Sequence, residues 1–352
     1  MRIVILIPTI KPGGAEKQAA LLAKILNEEH EVHFIALYGR KDLSMTVQNY
    51  LNDANVSVHF LSGRFFNKWK ELFLLIKHFR FDIAFNYLTL PDVIGAMVEK
   101  IAGVKKVFNG IRNSRLAPAK TMMEWFAHNF VADYTVYNCN SGADYFANLG
   151  FNKKKSIVIH NCFPNISPPI HREDRQIKKI ITVGRFEPQK DYLTLIKTIA
   201  NLRLRRSDFS FIIIGHGHLE GQIRSWLHEY SIDYFTDVYI APNNVQDILR
   251  EADIYISTSL FEGTSNSIME AMNWSMPIIA TNVGDNSVLV KQGINGYLSS
   301  TGDCLSLSKG LEELLSSYER RVHMGLQSNC LLHDFSVENF REKYENIIKG
   351  QI

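Results

Sequence analysis

The stretch Ser259-Leu-Phe-Glu-Gly-Thr-Ser-Asn-Ser-Ile-Met-Glu-Ala-Met-Asn-Trp274 decides how this chain reads. The apolar run Ile254-Tyr-Ile-Ser257 leads into it and reads as a buried strand. Glu262-Gly-Thr-Ser-Asn266 is a polar turn, and Ile268, Met269, Ala271 and Met272 then recur at helical spacing. A strand, a loop of small residues and a helix start follow one another. A helix start offers unpaired N–H groups and partial positive charge, which suits a phosphate. Glu262 and Glu270 flank that start. A plainer reading stands beside this one. Ser267-Ile-Met-Glu270 fits a capping box, in which Glu270 only reaches back to the first N–H of the helix, and Glu262 is a loop charge.

The second constellation is Val183-Gly-Arg-Phe-Glu-Pro-Gln-Lys-Asp191. A strand ends at Gly184, and Arg185 and Lys190 occupy the connection to the next helix. Two cations at the carboxyl end of a strand are placed to bind a diphosphate. Read alone, they are solvated loop charges.

Both stretches sit in a longer alternation. Apolar strand-like runs fall at 2–7, 32–37, 56–60, 81–86, 106–108, 134–137 and 156–159. Helical periodicity fills 15–26, 65–79, 92–101, 122–132 and 143–149. Gly13-Gly14 make a turn at the end of the first strand. The Pro-rich loop Asn161-Cys-Phe-Pro-Asn-Ile-Ser-Pro-Pro-Ile170 reads as a hinge. A second series follows, with strands at 179–183, 209–214, 237–240, 254–257, 277–280 and 296–298. Its helices fall at 193–204, 219–230, 245–251, 305–315 and 337–348. The chain's 352 residues are too many for one ordinary core. Two α/β domains are predicted, 1–168 and 169–336, each a doubly wound parallel sheet of Rossmann type. A cleft lies at the strands' carboxyl ends, where such sheets bind ligands.

Net charge is +3, unevenly spread: residues 1–170 hold 20 Lys+Arg against 13 Asp+Glu, the remainder 19 against 23. The balance is too weak and too scattered for a nucleic-acid binder, but the basic half suits an anionic membrane surface. Two segments there mix aromatics with cations. One is 64–79, whose apolar stripe a sheet-packed helix also needs. The other is 112–130, with Arg112, Arg115 and Lys120 beside Met122, Met123, Trp125 and Phe126. Cys139, Cys162, Cys304 and Cys330 are scattered with no Cys-x-x-Cys, as in a reducing cytoplasm. No apolar run reaches the length of a spanning helix, and residues 3–7 read as a first strand rather than a signal core. His216 and His218 lack the partners a metal site needs, and no Asp-x-Asp pair is present. No metal and no cofactor is expected.

Taken in order, these motifs resemble the retaining GT-B glycosyltransferases of the glycosyl transferases group 1 family. Glu262 and Glu270 match its Glu-x7-Glu signature; Gly184, Arg185 and Lys190 match its Gly-Arg…Lys pair; Gly13-Gly14-Ala15-Glu16 matches its N-terminal Gly-Gly loop. Gly215-His-Gly217, Asn138-Cys-Asn-Ser141, Ile159-His-Asn161 and Asn295-Gly-Tyr-Leu298 are weaker echoes in the right order. The resemblance spans nearly the whole chain.

It implies a two-domain GT-B fold with the helix at 337–352 packing back on the first domain. It implies transfer of a sugar from a nucleotide sugar, with UDP favoured, to a saccharide acceptor carried on a lipid, with the protein at the inner face of a membrane. Arg185 and Lys190 would hold the donor diphosphate and assist its departure. Glu262 would contact the donor sugar, backed by Gly263, Thr264, Ser265, Asn266 and Ser267. Glu270 would meet the ribose, and Gly13 and Gly14 would approach the diphosphate or the acceptor. Hinge closure would bring Gly14 toward Arg185 and exclude water. Many members carry a histidine in the loop that here reads Phe108-Asn-Gly-Ile-Arg-Asn-Ser-Arg115. Arg112 and Asn113 would take its place against sugar or acceptor. A sugar-nucleotide epimerase on the same fold, or a silent binding subunit, are the alternatives.

Overall fold

The computed structural model describes residues 1–39 and 43–351, in two units: Met1–Pro164 with Val337–Ile352, and Asn165–Ser336. In the first unit β1 (Arg2–Ile7), α1 (Gly14–Leu26), β2 (Glu31–Ala36), α2 (Met45–Asp53) and β3 (Ser57–Phe60) come first. Then follow α3 (Phe65–Phe79), β4 (Ile83–Asn86), α4 (Ala96–Ala102), β5 (Lys106–Ile111), α5 (Pro118–Phe126), β6 (Tyr134–Tyr137), α6 (Asn140–Asn148) and β7 (Ser156–Val158). Among the described residues the strands form one parallel sheet in the order β3-β2-β1-β4-β5-β6-β7.

Helices cover both faces, so β1 is apolar without a break. Ile3, Ile5 and Ile7 face α1 and the returning helix, while Val4 and Leu6 face Trp69, Leu72 and Ile76 of α3. β1 has β2 on one side and β4 on the other, so the chain leaves these neighbours in opposite directions. The crevice of an open α/β sheet lies at the carboxyl ends there.

The second unit runs β8 (Lys178–Val183), α7 (Tyr192–Arg203), β9 (Phe209–Gly215), α8 (Glu220–Glu229), β10 (Thr236–Ile240), α9 (Val245–Glu251) and β11 (Ile254–Ser257). It continues α10 (Asn266–Asn273), β12 (Ile278–Thr281), α11 (Asn286–Leu289), β13 (Gly296–Ser299), α12 (Cys304–Ser316) and α13 (Tyr318–Leu332). Its sheet is parallel in the order β10-β9-β8-β11-β12-β13. The final helix, α14 (Val337–Lys349), returns to the first unit and seats Phe340, Tyr344 and Ile347 in its core. His30 Nε2 meets Glu345 Oε1 at 2.9 Å and Arg341 pairs with Glu28 at 2.7 Å.

The boundary lies earlier than residue 168. Ser167 N–H donates to Asn273 Oδ1 at 2.7 Å and Asn329 Nδ2 donates to Ser167 O at 3.1 Å, which ties this loop to the second unit. Three helices the periodicity did not announce are α2, the short α11 and α13. The helix expected at 92–101 opens as a π turn, Pro91–Gly95, and that expected at 122–132 starts at Pro118 and closes as a second π turn, Ala127–Val131.

Candidate active site

The geometry of the second unit starts from two strand ends. At the end of β8, Gly184 N–H donates to Ile214 O at 3.0 Å and Tyr192 OH donates to Gly184 O at 2.9 Å. Phe186 is fully buried against Tyr192, which turns Arg185 outward; its Nη2 reaches Gln189 Oε1 at 3.5 Å. A 3-10 turn, Pro188–Lys190, brings Lys190 back beside Gly184, and Asp191 caps α7 by accepting from Thr194 N–H at 3.3 Å. Gly215 must be glycine for this approach: a Cβ there would lie 2.0 Å from Gly184 O.

At the end of β11, Thr258 Oγ1 donates to Lys190 O and Asp191 O, both at 3.0 Å. Leu260 N–H donates to Gln189 O at 2.8 Å, and Gln189 Nε2 returns a bond to Phe261 O at 2.8 Å. The two loops are thus laced together by four hydrogen bonds. Their meeting point is an ion pair. Lys190 Nζ donates to Glu262 Oε1, and Ser259 Oγ donates to the same oxygen at 2.7 Å. Glu262 is 8% exposed. A carboxylate this far from water needs such a partner.

α10 begins directly after. Its N-cap is Ser265, whose side chain makes no capping bond and instead pairs with Ser267 Oγ at 3.2 Å. The capping box Ser267–Glu270 does not form. Ser267 already lies inside the helix, so Glu270 stands a residue beyond the first turn and cannot reach the N-cap N–H. The charges of Glu262 and Glu270 nonetheless both act on one group. The Tyr255 phenol is held above its ordinary range chiefly by burial and further by the charges of both glutamates, while Ser267 hydrogen-bonds it. Gly263, Asn266, Ser267 and Glu270 are half-buried, Thr264 and Ser265 buried. Arg185, Gly184, Lys190, Glu262, the 263–267 turn and Glu270 therefore occupy one side of one sheet's carboxyl edge.

Sequence reasoning missed three contributors. Ser259 and Thr281 fix the Glu262 turn, Thr281 Oγ1 donating to Ser259 O at 2.6 Å. Gly284 lets the loop after β12 close on Glu262. A glycine just past an apolar strand is the signal that could have found it.

In the first unit, Gly13 is the N-cap of α1 and Gly14 its first residue. The Glu16 carboxylate folds over Gly13, where a Cβ would meet Oε2 at 2.1 Å; burial raises the Glu16 pKa. Arg112 turns inward: its guanidinium stacks 4.2 Å from the Tyr87 ring centroid and Nη2 donates to Tyr344 OH at 3.2 Å. Asn113 is exposed. His218 Nδ1 meets only Glu187 Oε2, at 3.2 Å, and among the described residues no group of three or more His, Cys, Asp or Glu is spaced to hold a metal ion.

Comparison with known proteins agrees with the architecture. The UDP-Gal:alpha-D-GlcNAc-diphosphoundecaprenol alpha-1,3-galactosyltransferase of Escherichia coli is 22% identical over 306 residues, covering 79% of this chain and 77% of its own. A GalNAc-alpha-(1->4)-GalNAc-alpha-(1->3)-diNAcBac-PP-undecaprenol alpha-1,4-N-acetyl-D-galactosaminyltransferase of Campylobacter jejuni is 21% identical, covering 99% and 98%. The crystal structure of Anabaena Alr3699/HepE in complex with UDP superposes with a TM-score of 0.85 at 16% identity, covering 99% of this chain and 100% of that one. A family model, Glycosyl transferases group 1, matches residues 165–328, almost the whole second unit. The second unit is thus similar to the glycosyl transferases group 1 family, and the chain's two Rossmann-like units have the GT-B fold.

Proposed function

We propose that this chain transfers a sugar from a nucleoside diphosphate sugar, UDP being the favoured nucleotide, to a saccharide acceptor carried on a lipid. Transfer retains the anomeric configuration and needs no metal ion. The observation that carries the reading is the Lys190–Glu262 pair, set between Arg185 and the uncapped start of α10. A departing nucleoside diphosphate gains negative charge. Lys190, Arg185 and the N–H groups at the start of α10 are the donors that would meet that charge. In this reading Glu262, buried and held by Ser259, meets the hydroxyls of the donor sugar, and Glu270 the ribose. The relatives that act on diphosphoundecaprenol-linked sugars, and the UDP held by the structural neighbour, support the acceptor and the nucleotide.

The test is a thermal-shift series with UDP, GDP and ADP, followed by turnover with lipid-linked saccharides. A ligand at about 100 times its Kd adds about 2.7 kcal/mol of stability, so UDP is expected to raise the midpoint most. Nucleoside diphosphate released only when acceptor is present establishes transfer. Release or interconversion of the sugar nucleotide without acceptor favours an epimerase instead.

The lipid acceptor calls for a membrane-facing surface, and the two aromatic segments separate here. In α3 the stripe Trp69, Leu72 and Ile76 is core, which leaves only Phe65, Phe66 and Leu74 outside. In α5 the apolar residues point out: Met122 is 70% exposed, and Met123, Trp125, Phe126 and, in the next turn, Phe130 are exposed too. Arg115 and Lys120 lie beside them, also exposed. Among the described residues no helix is long and apolar enough to cross a membrane. Interfacial binding by α5 fits a basic, apolar face of this kind. Co-sedimentation with anionic vesicles at low salt is expected, and Met122→Ser with Phe130→Ser is expected to weaken it by about tenfold or more, given about 1.5–3 kcal/mol per large apolar side chain buried. Equal sedimentation of the double variant would remove α5 from this role.

A further inference from the structure

α5 has an unusual anchor. Its only buried side chain is Glu124, 1% exposed, while its apolar residues face outward. Glu124 meets Asp92, a fully buried residue of the π turn after β4. Asp92 also organises the neighbouring strand end: Oδ1 accepts from Gly110 N–H at 2.8 Å, and its carbonyl accepts from Asn109 Nδ2 at 2.7 Å.

The hydrogen-bond inventory of this pair does not close without a proton. Asp92 Oδ2 and Glu124 Oε2 are both buried and neither has a hydrogen-bond partner; the Thr89 side chain also stands against the Glu124 carboxyl. Yet the two carboxyls face each other where α5 packs on the π turn. Ionised carboxylates are acceptors only. Two of them in contact inside the protein would leave both oxygens unsatisfied and set like charges together at low dielectric. One hydrogen between them satisfies both.

We propose that Asp92 and Glu124 hold one proton between them, and that this shared proton docks α5 on the first unit and sets the 110–113 segment, making the two carboxyls positioning residues. Charge balance agrees. The singly protonated pair carries one negative charge, and Arg112, stacked on Tyr87 with Nε and Nη1 lacking hydrogen-bond acceptors, carries one positive charge beside Asp92. The other ionisable groups around the pair are Lys120 on α5, the Tyr137 phenol on β6, and Tyr344 behind Arg112; Glu99 of α4 is linked through Asn86 and Asn109. Burial is the main cause that raises both carboxyls, and the charge of Glu124 raises Asp92 further.

The sign follows. Docked α5 keeps the proton. Released into water, both carboxyls ionise above the ordinary carboxylate range and bind none. Docking therefore weakens as pH rises, by about tenfold per pH unit for one proton, until the docked pair itself ionises.

The experiment is hydrogen–deuterium exchange of the full chain from about pH 5.5 to 7.5, corrected for the intrinsic rate. Wild-type peptides covering 118–126 are expected to lose protection by up to about tenfold per pH unit, while peptides from β1 stay level. In Glu124→Gln the amide donates to Asp92 permanently, so protection of 118–126 becomes independent of pH. Asp92→Asn, which can still accept from Gly110 and donate to Glu124, gives the same flat profile and serves if the first variant folds poorly. A flat wild-type profile, or a wild-type slope persisting in both variants, overturns the proposal.

Discussion

Lys190→Ala is expected to lower sugar transfer by about 100- to 1,000-fold, the usual loss when one preorganised donor to a developing negative charge is removed. The residue has two separable roles. Its ammonium is the buried counter-charge of Glu262, and its stem lies against the Gly184 turn. Removing it leaves the Glu262 carboxylate with the Ser259 hydroxyl but without its counter-charge. An uncompensated buried carboxylate is costly, and about 3 kcal/mol of stability is expected to go, the lower end of the range for a broken buried pair because that hydroxyl remains. The double variant Lys190→Ala, Glu262→Gln removes the orphan charge. It should recover much of the melting temperature and none of the transfer. Measuring nucleoside diphosphate release beside thermal midpoints separates the roles. Transfer within a few-fold of wild type in Lys190→Ala, or recovered in the double variant, would take the leaving-group role from Lys190.

That pairing shows where sequence reasoning stops. Arg185, Lys190, Glu262 and Glu270 were each legible, because a loop after an apolar strand is short and its residues have nowhere else to go. Their mutual geometry was not. Lys190 and Glu262 lie on connections of different strands, and nothing local says that one neutralises the other before any ligand arrives. The capping-box pattern at Ser267 misled for the opposite reason. It is purely local, and the backbone starts α10 at Asn266 instead, with Ser265 as cap.

The fold divides in the same way. β1, β2 and β8 announce themselves because strands covered on both faces are mostly apolar. α13 does not. Its inner face is Arg321, Met324, Gly325, Ser328, Asn329 and Leu332, helical in spacing but polar or small in chemistry. Arg321 is inside because Nη1 donates to the carbonyls of Leu314 and Leu315 at the end of α12, at 2.7 and 3.0 Å. Gly325 is inside because a Cβ there would lie 2.1 Å from Ser275 O. A hydrophobicity pattern cannot see a helix held by carbonyl capping and close backbone approach. α2 hides for a simpler reason, since only Val47 and Leu51 are buried on it.

The same kind of close approach yields the second large expected effect. Gly284→Ala is expected to lower the thermal midpoint by about 5–15 °C, from a loss of about 2–4 kcal/mol, and to reduce transfer by more than about tenfold. Gly284 has φ +57, and a Cβ on it would lie 2.2 Å from Glu262 O and 2.7 Å from Glu262 C. The atoms it meets are backbone, so no side chain can swing aside. The neighbouring Asp285 N–H donates to Gly263 O at 3.4 Å, so the loop cannot withdraw without losing that bond. The strain must pass to the Glu262 turn, whose carboxylate is pinned to Lys190 and Ser259. Gly302 supplies the control. It has φ +75 but nothing within 4 Å of an added Cβ, so Gly302→Ala incurs the left-handed backbone penalty alone, about 1 kcal/mol. Comparing the two variants by calorimetry and by turnover isolates the clash. Should Gly284→Ala match Gly302→Ala in both, the loop after β12 would have no hold on Glu262, and the turn would owe its position to Lys190, Ser259 and Gln189 alone.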